Sequence, residues 1–316
     1  DSVNMVICLF VVAVCFALCH GVFAVLRLVT KRTFSPKVKT LIALILAAIY
    51  LSVGLYQDYH VTPVFYQITS DKIAKPVRIL LFADSHIGTT FDAAGFARHV
   101  ESMKSYAPDI VAIVGDFVDD GTNRSEMLKS AQALRAFAPV PVYFVFGNHD
   151  KGYYNPAVRG FTGADLIDAL QQNNVIVLQD EVKPALDAIY IIGRNDASEK
   201  YRGGHRAPMT ELAQNLPLNA LSVVLDHQPN DYKAQANAQV DLVLSGHTHG
   251  GQLSPLNKVG EWIGANDKTY GIEKRGKTNF IVTSGLSDWA IKFKTGTQSE
   301  FVIIDIIPSS NGGKEK

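Results

Sequence analysis

After residue 76 the chain alternates between short apolar runs and amphipathic stretches. The runs lack the polar alternation of half-buried strands, so we expect strands that are buried on both faces. Covering such strands requires helices or a second sheet. The runs are Val77–Ala83, Ile110–Val114, Val142–Phe146, Val175–Leu178, Ile189–Ile192, Leu221–Leu225, Leu242–Leu244, Phe280–Val282 and Phe301–Ile307.

The stretches between the runs predict the order of helices and strands. Helical patterns fit Phe91–Tyr106, Arg124–Phe137, Gly163–Gln172 and Asp231–Asn237, and Thr62–Lys75 fits an edge strand. The early strands are separated by helices, as parallel βαβ units require. The later runs follow one another more closely, which favours antiparallel pairing there. The fold class is therefore α/β with an α+β or sandwich arrangement.

The first sixty residues hold two long apolar segments. Val3–Leu28 exceeds the roughly 20 residues that a membrane span needs, and Leu41–Tyr56 lies near the lower limit. The pattern predicts a two-span membrane anchor over residues 1–59, with spans at 3–28 and 40–58. The alternative is one span plus an interfacial or core helix. A signal peptide fits less well, because no basic region precedes the first segment.

The loop between the two segments carries Lys and Arg residues. By the positive-inside rule it faces the cytoplasm, so the globular part, residues 60–308, would lie outside it. In a bacterium this describes a multi-pass protein of the inner membrane with an extracytoplasmic domain. Residues 309–316 form a polar tail that we expect to be disordered.

Charge and cysteine content exclude several classes of protein. The formal net charge is zero, which argues against a dedicated nucleic-acid binder. The three cysteines, Cys8, Cys15 and Cys19, all lie in the first apolar segment. The globular part therefore has neither a disulfide framework nor a thiolate zinc site.

Polar residues follow five of the apolar runs. Ligands in open sheets lie beyond the carboxyl ends of strands, so we expect these segments to converge. Each motif alone fits an ordinary turn, but five in succession indicate a functional site. The segments are Asp84-Ser85-His86, Gly115-Asp116 with Asp119 and Asp120, Gly147-Asn148-His149-Asp150, Asp226-His227 and Gly246-His247-Thr248-His249.

Nitrogen and oxygen ligands without thiolates suit paired Mn²⁺, Fe or Zn²⁺ sites. A carboxylate shared by two ions holds them about 3.5–4 Å apart, a spacing that suits in-line displacement at phosphorus. A water shared by the two ions becomes a hydroxide nucleophile. The leaving oxygen then needs a proton, and His149 is the natural donor.

The ordered set Asp-x-His, Gly-Asp-x-x-Asp, Gly-Asn-His-Asp, His and Gly-His-x-His resembles the calcineurin-like metallophosphoesterases. The resemblance covers Val77 to Ile307, and the apolar N-terminus with Gly-His-Thr-His-Gly-Gly-Gln resembles the membrane-anchored bacterial branch. The fold that this resemblance implies is a four-layer α/β/β/α sandwich with the site at one end.

The resemblance also implies residue roles. One ion would be held by Asp84, His86, Asp116 and His249. Asp116 would bridge to a second ion, completed by Asn148, His227 and His247. His149 would bind phosphate and protonate the leaving group, with Asp119 orienting its ring. We interpret Asp150 as a structural residue or as one that supports the ligands without binding metal.

The expected cofactor is two divalent ions per chain, Mn²⁺ first, with Fe, Zn²⁺ or Mg²⁺ as alternatives. The expected substrate is a phosphomonoester or phosphodiester, carried by a small molecule or a lipid. A narrower alternative, known for some relatives, is pyrophosphatase action on a nucleotide-diphospho-lipid such as UDP-2,3-diacylglucosamine, whose cytoplasmic location conflicts with the predicted orientation. An alternative of another class, a non-catalytic metal-dependent sensor, predicts a lost ligand or a lost His149, and neither is seen.

Two further segments have open interpretations. Ser198–Pro208 is basic and glycine-containing, and it would contact substrate phosphate through Arg202 and His205 or else be a solvated loop. Leu253–Ala265 carries Leu253, Leu256, Trp262 and Ile263, and it would form a lipid-facing rim or else a small apolar core.

Overall fold

The apolar runs form two six-stranded sheets in the computed structural model, which describes residues 2–309. Within these residues there are twelve strands: β1 (Thr62–Ser70), β2 (Val77–Phe82), β3 (Ile110–Val114), β4 (Val142–Val145), β5 (Val175–Val177), β6 (Glu181–Pro184), β7 (Ile189–Gly193), β8 (Leu221–Leu225), β9 (Leu242–Ser245), β10 (Gly271–Arg275), β11 (Thr278–Val282) and β12 (Glu300–Pro308).

The helices fall into two long N-terminal ones and a set that covers the sheets. Within residues 2–309 the α-helices are α1 (Ser2–Thr30), α2 (Pro36–Tyr59), α3 (Ala93–Lys104), α4 (Arg124–Ala133), α5 (Pro156–Arg159), α6 (Gly163–Gln171), α7 (Glu199–Arg202), α8 (Met209–Ala213), α9 (Tyr232–Asn237) and α10 (Val259–Trp262), and short 3₁₀ helices lie at Leu134–Phe137 and His249–Gly251. Polar side chains begin several of them, as where Asp92 accepts the N–H of Gly95 at the start of α3.

The first sheet has the order β1-β12-β2-β3-β4-β5, with β12 and β2 antiparallel and all other neighbours parallel. The prediction that Thr62–Lys75 forms an edge strand is confirmed by β1, which lies at the border of this sheet. Because β2, β3 and β4 are parallel neighbours, their carboxyl ends lie side by side.

The second sheet has the order β10-β11-β9-β8-β7-β6. The prediction of antiparallel pairing is wrong for its four central strands, which are all parallel neighbours. Only the border strands β10 and β6 pair antiparallel. The physical reason is that a crossover needs only about a dozen residues, and the stretch with α9 between β8 and β9 is long enough.

Strand side chains alternate between two cores, which explains the continuous apolar runs. In β2, Ile79 and Leu81 lie in the core between the sheets, whereas Leu80 and Phe82 pack beneath α3, α4 and α6. On the second sheet, Met209 of α8 and Tyr232 of α9 cover Val224 and Val243. The predicted α/β/β/α layering is confirmed.

The two N-terminal helices are long and apolar enough to cross a membrane, judged by length and composition. Ser35 accepts the N–H of Val38 and Pro36 occupies the first turn, so α2 begins with both features of a helix start. The predicted division at residues 59 and 60 falls between α2 and β1 and stays a prediction. The predicted tail lies outside the described residues except for Ser309, whose N–H donates to the Ser70 carbonyl.

Candidate metal centre

The five polar segments meet at one end of the two sheets. Asp84, Asp116 and Asn148 follow β2, β3 and β4 of the first sheet, and His227 and His247 follow β8 and β9 of the second. The ends of parallel neighbours converge in each sheet, and the face-to-face packing of the sheets brings the two sets together. The convergence that the sequence predicts is therefore present.

Two groups of ligand atoms have the spacing that a metal ion requires. The ligand atoms of Asp84, His86 and His249 lie within 4.8 Å of one another, and those of Asp116, His227 and His247 do the same. In the described part of the chain a third such group joins Asp119, Asp120 and His149. Most of these side chains are buried, whereas carboxylates outside functional sites are usually exposed.

Asp116 lies between the first two groups. Its Oδ2 atom is 3.1 Å from Nε2 of His227 and 3.7 Å from Nε2 of His86. Asn148 belongs with the second group, because its Oδ1 lies 2.9 Å from Nδ1 of His247. One carboxylate is thus within reach of both groups.

Backbone carbonyls orient two of the histidine rings. Nδ1 of His227 lies 2.8 Å from the Val114 carbonyl, and Nδ1 of His249 lies 3.2 Å from that of Ser287, which directs both Nε2 atoms into the site. The Nε2 atom of His86 is buried and makes no hydrogen bond within the described residues. Buried nitrogens rarely stay without a partner, so this donor set fits two divalent cations.

The backbone of the site is held in an unusual conformation. Five of the seven predicted ligands have positive φ angles, which is rare for residues other than glycine. Such backbone conformations cost of order 1–3 kcal/mol each and cluster at functional sites, because neighbouring structure must enforce them. The five are Asp84 (54°), His86 (36°), Asp116 (50°), His247 (72°) and His249 (49°).

Asp150 holds two of the converging turns together. Its carboxylate accepts the N–H groups of Asp116 (2.9 Å), Val118 (3.1 Å) and Gly147 (2.7 Å). Only glycine fits at position 147, because a Cβ there would collide with the Asp116 side chain. Burial and the charge of Asp116 raise the pKa of Asp150 to about 7, against hydrogen bonds from Gly147 and Val118 that lower it.

His149 lies at the edge of the two groups. Its Nδ1 atom is 3.2 Å from Oδ1 of Asp119, and its backbone N–H donates to Oδ1 of Asp116 (2.8 Å). Its ring contacts those of Tyr153 and Trp289, with centroids 5.0 and 5.4 Å away. Two carboxylates therefore fix its backbone and its ring.

Burial and charge act in opposite directions on these groups. Burial alone would raise the pKa of Asp116 and of Asp119, but neighbouring histidines hold both well below the usual range. Burial lowers the pKa of His247, helped by the His227 charge, and that of His249, each to about 4. Burial alone would lower the pKa of His86 and His227, but nearby carboxylates raise both above the ordinary value.

A cavity of about 660 Å³ opens above these groups. Its walls combine the polar groups with aromatic side chains, so it offers both charge and apolar surface to a ligand. It is lined by Asp116, Asp119, Asp120, Gly121, Asn148, His149, Tyr153, Tyr154, His247, His249, Trp289 and Ala290.

The two residues predicted to bind substrate do not line this cavity. Arg202 donates to the carbonyls of Gly152 (2.8 Å) and Asn148 (2.9 Å). The His205 side chain is 76% exposed, and its Nδ1 lies 3.6 Å from Asp180. Substrate binding by either residue stays a prediction.

Some neighbours of the site are absent from the predicted set. Asp288, fully buried, lies 3.5 Å from Nδ1 of His249 and 3.0 Å from Nζ of Lys294. Tyr153 accepts a hydrogen bond from the Asn148 amide (2.8 Å). The signal for Asp288 was its place after the strand-forming run Phe280–Val282, a sixth strand end at the same edge.

A family model described as calcineurin-like phosphoesterase matches residues 77–251, more than half of the chain. A Danio rerio transmembrane protein with metallophosphoesterase domain is 28% identical over 288 residues, covering 87% of this chain and 64% of that protein. An uncharacterized Campylobacter jejuni metallophosphoesterase is 27% identical over 239 residues, covering 74% of this chain and 60% of the relative.

Among solved structures, a dimetal phosphatase from Danio rerio aligns with a TM-score of 0.44 and 13% identity, covering 67% of this chain and 88% of that one. The chain spans less than two thirds of the length of the two relatives described above.

Proposed function

The chain belongs to the calcineurin-like phosphoesterase family and is a hydrolase of phosphoric esters, and we propose that it is a membrane-anchored dinuclear enzyme that hydrolyses phosphomonoesters or phosphodiesters. In this proposal residues 1–59 form the anchor and residues 60–308 the catalytic domain. The observation that carries it is Asp116, whose carboxylate lies within 3.1 Å of His227 and 3.7 Å of His86.

Two divalent ions would be held by the groups that share Asp116. Asp84, His86 and His249 serve the first, and Asn148, His227 and His247 the second. When bound, the ions would neutralise the charge of phosphoryl oxygens and would activate water as a nucleophile. Mn²⁺ suits this set of carboxylate, amide and imidazole ligands, and Fe, Zn²⁺ and Mg²⁺ are the alternatives.

The chain's own residues handle the proton of the leaving group. His149 borders the cavity and is the donor to the leaving oxygen. Oδ1 of Asp119 lies 3.2 Å from Nδ1, which favours a proton on that nitrogen and leaves Nε2 to face the leaving group. The hydrogen bond from the His149 backbone N–H to Asp116 fixes the position of His149 relative to the shared carboxylate.

The cavity wall favours esters with an apolar or planar portion. Tyr153, Tyr154 and Trp289 border it, and their exposed ring faces offer contact area beside the phosphate site. Trp289 belongs to the segment that continues to Lys292 and Lys294, whose backbone N–H groups contact α1 and α2. A mouth so close to the anchor favours a lipid-borne phosphoester.

The basic loop between α1 and α2 supports an orientation with the catalytic domain outside the cytoplasm of a bacterial cell. Reporter fusions at Thr33 and after Lys316 test it. The expected result is a cytoplasmic signal at Thr33 and an extracytoplasmic one at the C-terminus. The reverse pattern would open the way to a cytoplasmic diphospho-lipid substrate.

The activity is tested with the full chain in lipid nanodiscs. The panel is p-nitrophenyl phosphate, bis-p-nitrophenyl phosphate, a phospholipid monoester and a nucleotide-diphospho-lipid, each with Mn²⁺, Fe²⁺, Zn²⁺ or Mg²⁺. Hydrolysis of a mono- or diester supports the proposal, and exclusive cleavage of the diphospho-lipid replaces it with the pyrophosphatase. Two bound ions without any hydrolysis would favour the sensor.

A further inference from the structure

One face of α2 is buried along the helix, and in its last turns this face packs against the catalytic domain. Ala43 and Ala47 are buried, and further along the same face Gly54 and Asp58 are buried. A Cβ on Gly54 would overlap the Phe293 ring, and the Gly54 carbonyl accepts the N–H of Lys294 (3.1 Å). The last turns of the predicted membrane helix therefore rest on the catalytic domain.

Tyr50 marks where this contact begins. Its hydroxyl lies 2.8 Å from the Ser254 carbonyl and 2.8 Å from Oγ1 of Thr295. At 1.5 Å per residue, Tyr50 lies about 21 Å from the start of α2 at Pro36. A bilayer core is about 30 Å thick, so the domain meets α2 before the helix has crossed it.

The opposite face of α2 remains apolar beyond this point. Val53, Leu55 and Tyr56 are exposed there, and apolar side chains at this position need lipid contact. The boundary of the bilayer must then reach past Tyr50, and the segments of the domain beside Tyr50 lie at that boundary.

The segment after Ser254 has the side chains that such a position requires. Leu256, Trp262 and Ile263 are 58%, 71% and 73% exposed, so they form no small apolar core. Lys258 is exposed among them. Tryptophan is enriched at membrane interfaces and lysine pairs with lipid phosphates, so the segment combines both kinds of lipid contact.

We propose that Leu256, Trp262 and Ile263 form a docking rim that inserts into the boundary between headgroups and acyl chains of the bilayer holding α1 and α2. The inference rests on the proposed membrane anchor. The rim and α2 both contact the bilayer, and together they fix the distance between the cavity mouth and the lipid surface.

Tryptophan fluorescence tests this directly, because the chain has two tryptophans, Trp262 and Trp289. In the Trp289→Phe variant the emission comes from Trp262. The full chain is reconstituted into phosphatidylcholine–phosphatidylglycerol nanodiscs whose acyl chains are either unmodified or brominated near the headgroup. At the insertion depth of about 5–10 Å expected for an interfacial segment, bromine should remove about half of the Trp262 emission.

Two controls carry one added tryptophan each in a chain with both native tryptophans changed to phenylalanine. Leu44→Trp lies on the exposed face of α2, about 12 Å along the helix from Pro36 and so near the middle of a span, and it reports on the anchor in nanodiscs whose acyl chains are brominated near their ends. Leu218→Trp is exposed before β8, at the end of that strand opposite His227.

Quenching of Trp262 with the Leu218→Trp signal unchanged supports the rim. An unquenched Trp262 beside a quenched Leu44→Trp overturns the rim and leaves the anchor intact. If Leu44→Trp is also unquenched, the proposed anchor fails and the rim with it. Equal quenching of Trp262 and Leu218→Trp would overturn the inference as well, because it indicates non-specific contact with lipid.

Discussion

Nδ1 of His149 lies 3.2 Å from Oδ1 of Asp119, and a second oxygen of the same carboxylate lies 3.6 Å from Nδ1 of His86. One side chain therefore orients both the proposed proton donor and a proposed metal ligand. Because the two histidines come from different strand ends, Asp119 links proton transfer to the metal group. This arrangement makes the roles of His149 and Asp119 separable by experiment.

Removing the ring of His149 should impair turnover without emptying the site. His149→Ala should lower kcat by about 10²–10⁴, the usual contribution of a positioned acid, and leave two ions bound per chain. Asp119→Asn should lower kcat and also weaken metal binding, because His86 loses its carboxylate. Steady-state kinetics with metal analysis separate these effects, and His99→Gln in α3 is the matched control. Loss of metal in His149→Ala would make it a ligand instead.

The shared carboxylate should be the most sensitive metal ligand. Asp116→Asn should weaken Mn²⁺ binding by at least about 100-fold, beyond the 10–100-fold typical of residues that only orient ligands. Its charge serves both groups, and its amide replacement would place N–H donors beside His86 or His227. Equilibrium dialysis measures the change, with Asp71→Asn at the far end of the sheets as control. Retention of two tightly bound ions would contradict a bridging role.

Metal uptake should release protons. Nearby carboxylates raise the pKa of His86 and, more strongly, that of His227, which favours the protonated ring at both positions before metal arrives. A cation binds only the neutral ring, so binding displaces these protons and affinity rises with pH. The pKa values of His247 and His249, lowered to about 4, keep those rings neutral and contribute no release above about pH 5.

Calorimetric titration with Mn²⁺ in buffers of different ionisation enthalpy measures this release. The observed heat should vary with the buffer. The variation should shrink in Asp116→Asn, because this variant lacks the carboxylate charge that raises the pKa values of His86 and His227. Heats that are identical in every buffer would show that His86 and His227 are already neutral.

Much of the fold could be predicted because apolar runs report burial directly. Each predicted run forms a strand, since two buried faces favour apolar residues at nearly every position. The border strands β6 and β10 escaped prediction because their side chains are mostly exposed or half-buried. Pairing direction was missed because it depends on the path of the connections, which the strands themselves do not record.

The convergence of the candidate ligands could be predicted because these residues follow strand-forming runs. Asp288 was missed although it also comes after such a run, Phe280–Val282, whereas Tyr153 could not be predicted because its position depends on how a loop folds back over the site. Arg202 shows most clearly what the sequence does not predict. Its charge could be predicted, but not that its guanidinium would donate to two backbone carbonyls.

Asp150 should matter for stability more than for chemistry. Its carboxylate accepts three backbone N–H groups, whereas an asparagine offers a single oxygen and an amide that would face donors. Asp150→Asn should destabilise the domain by about 1–3 kcal/mol through unsatisfied buried donors. The shift of the thermal midpoint in nanodiscs measures it, with the exposed Asp168→Asn of α6 as control. An unchanged midpoint would show that the two turns hold without this carboxylate.

Arg202 distinguishes two roles that its charge alone allows. Its guanidinium joins the carbonyls of Asn148 and Gly152 at 2.9 and 2.8 Å, so its donors serve the turn that presents Asn148. Arg202→Ala should therefore weaken binding of the second ion by about 10–100-fold, the effect of losing a residue that orients a ligand, and leave KM nearly constant at saturating Mn²⁺. Arg202→Lys should recover little, because an ammonium lacks the planar fork that bridges two carbonyls. His205→Ala, an exposed basic residue of the same segment, is the control. A raised KM at full metal occupancy in Arg202→Ala would instead assign Arg202 to the substrate, as the sequence had indicated.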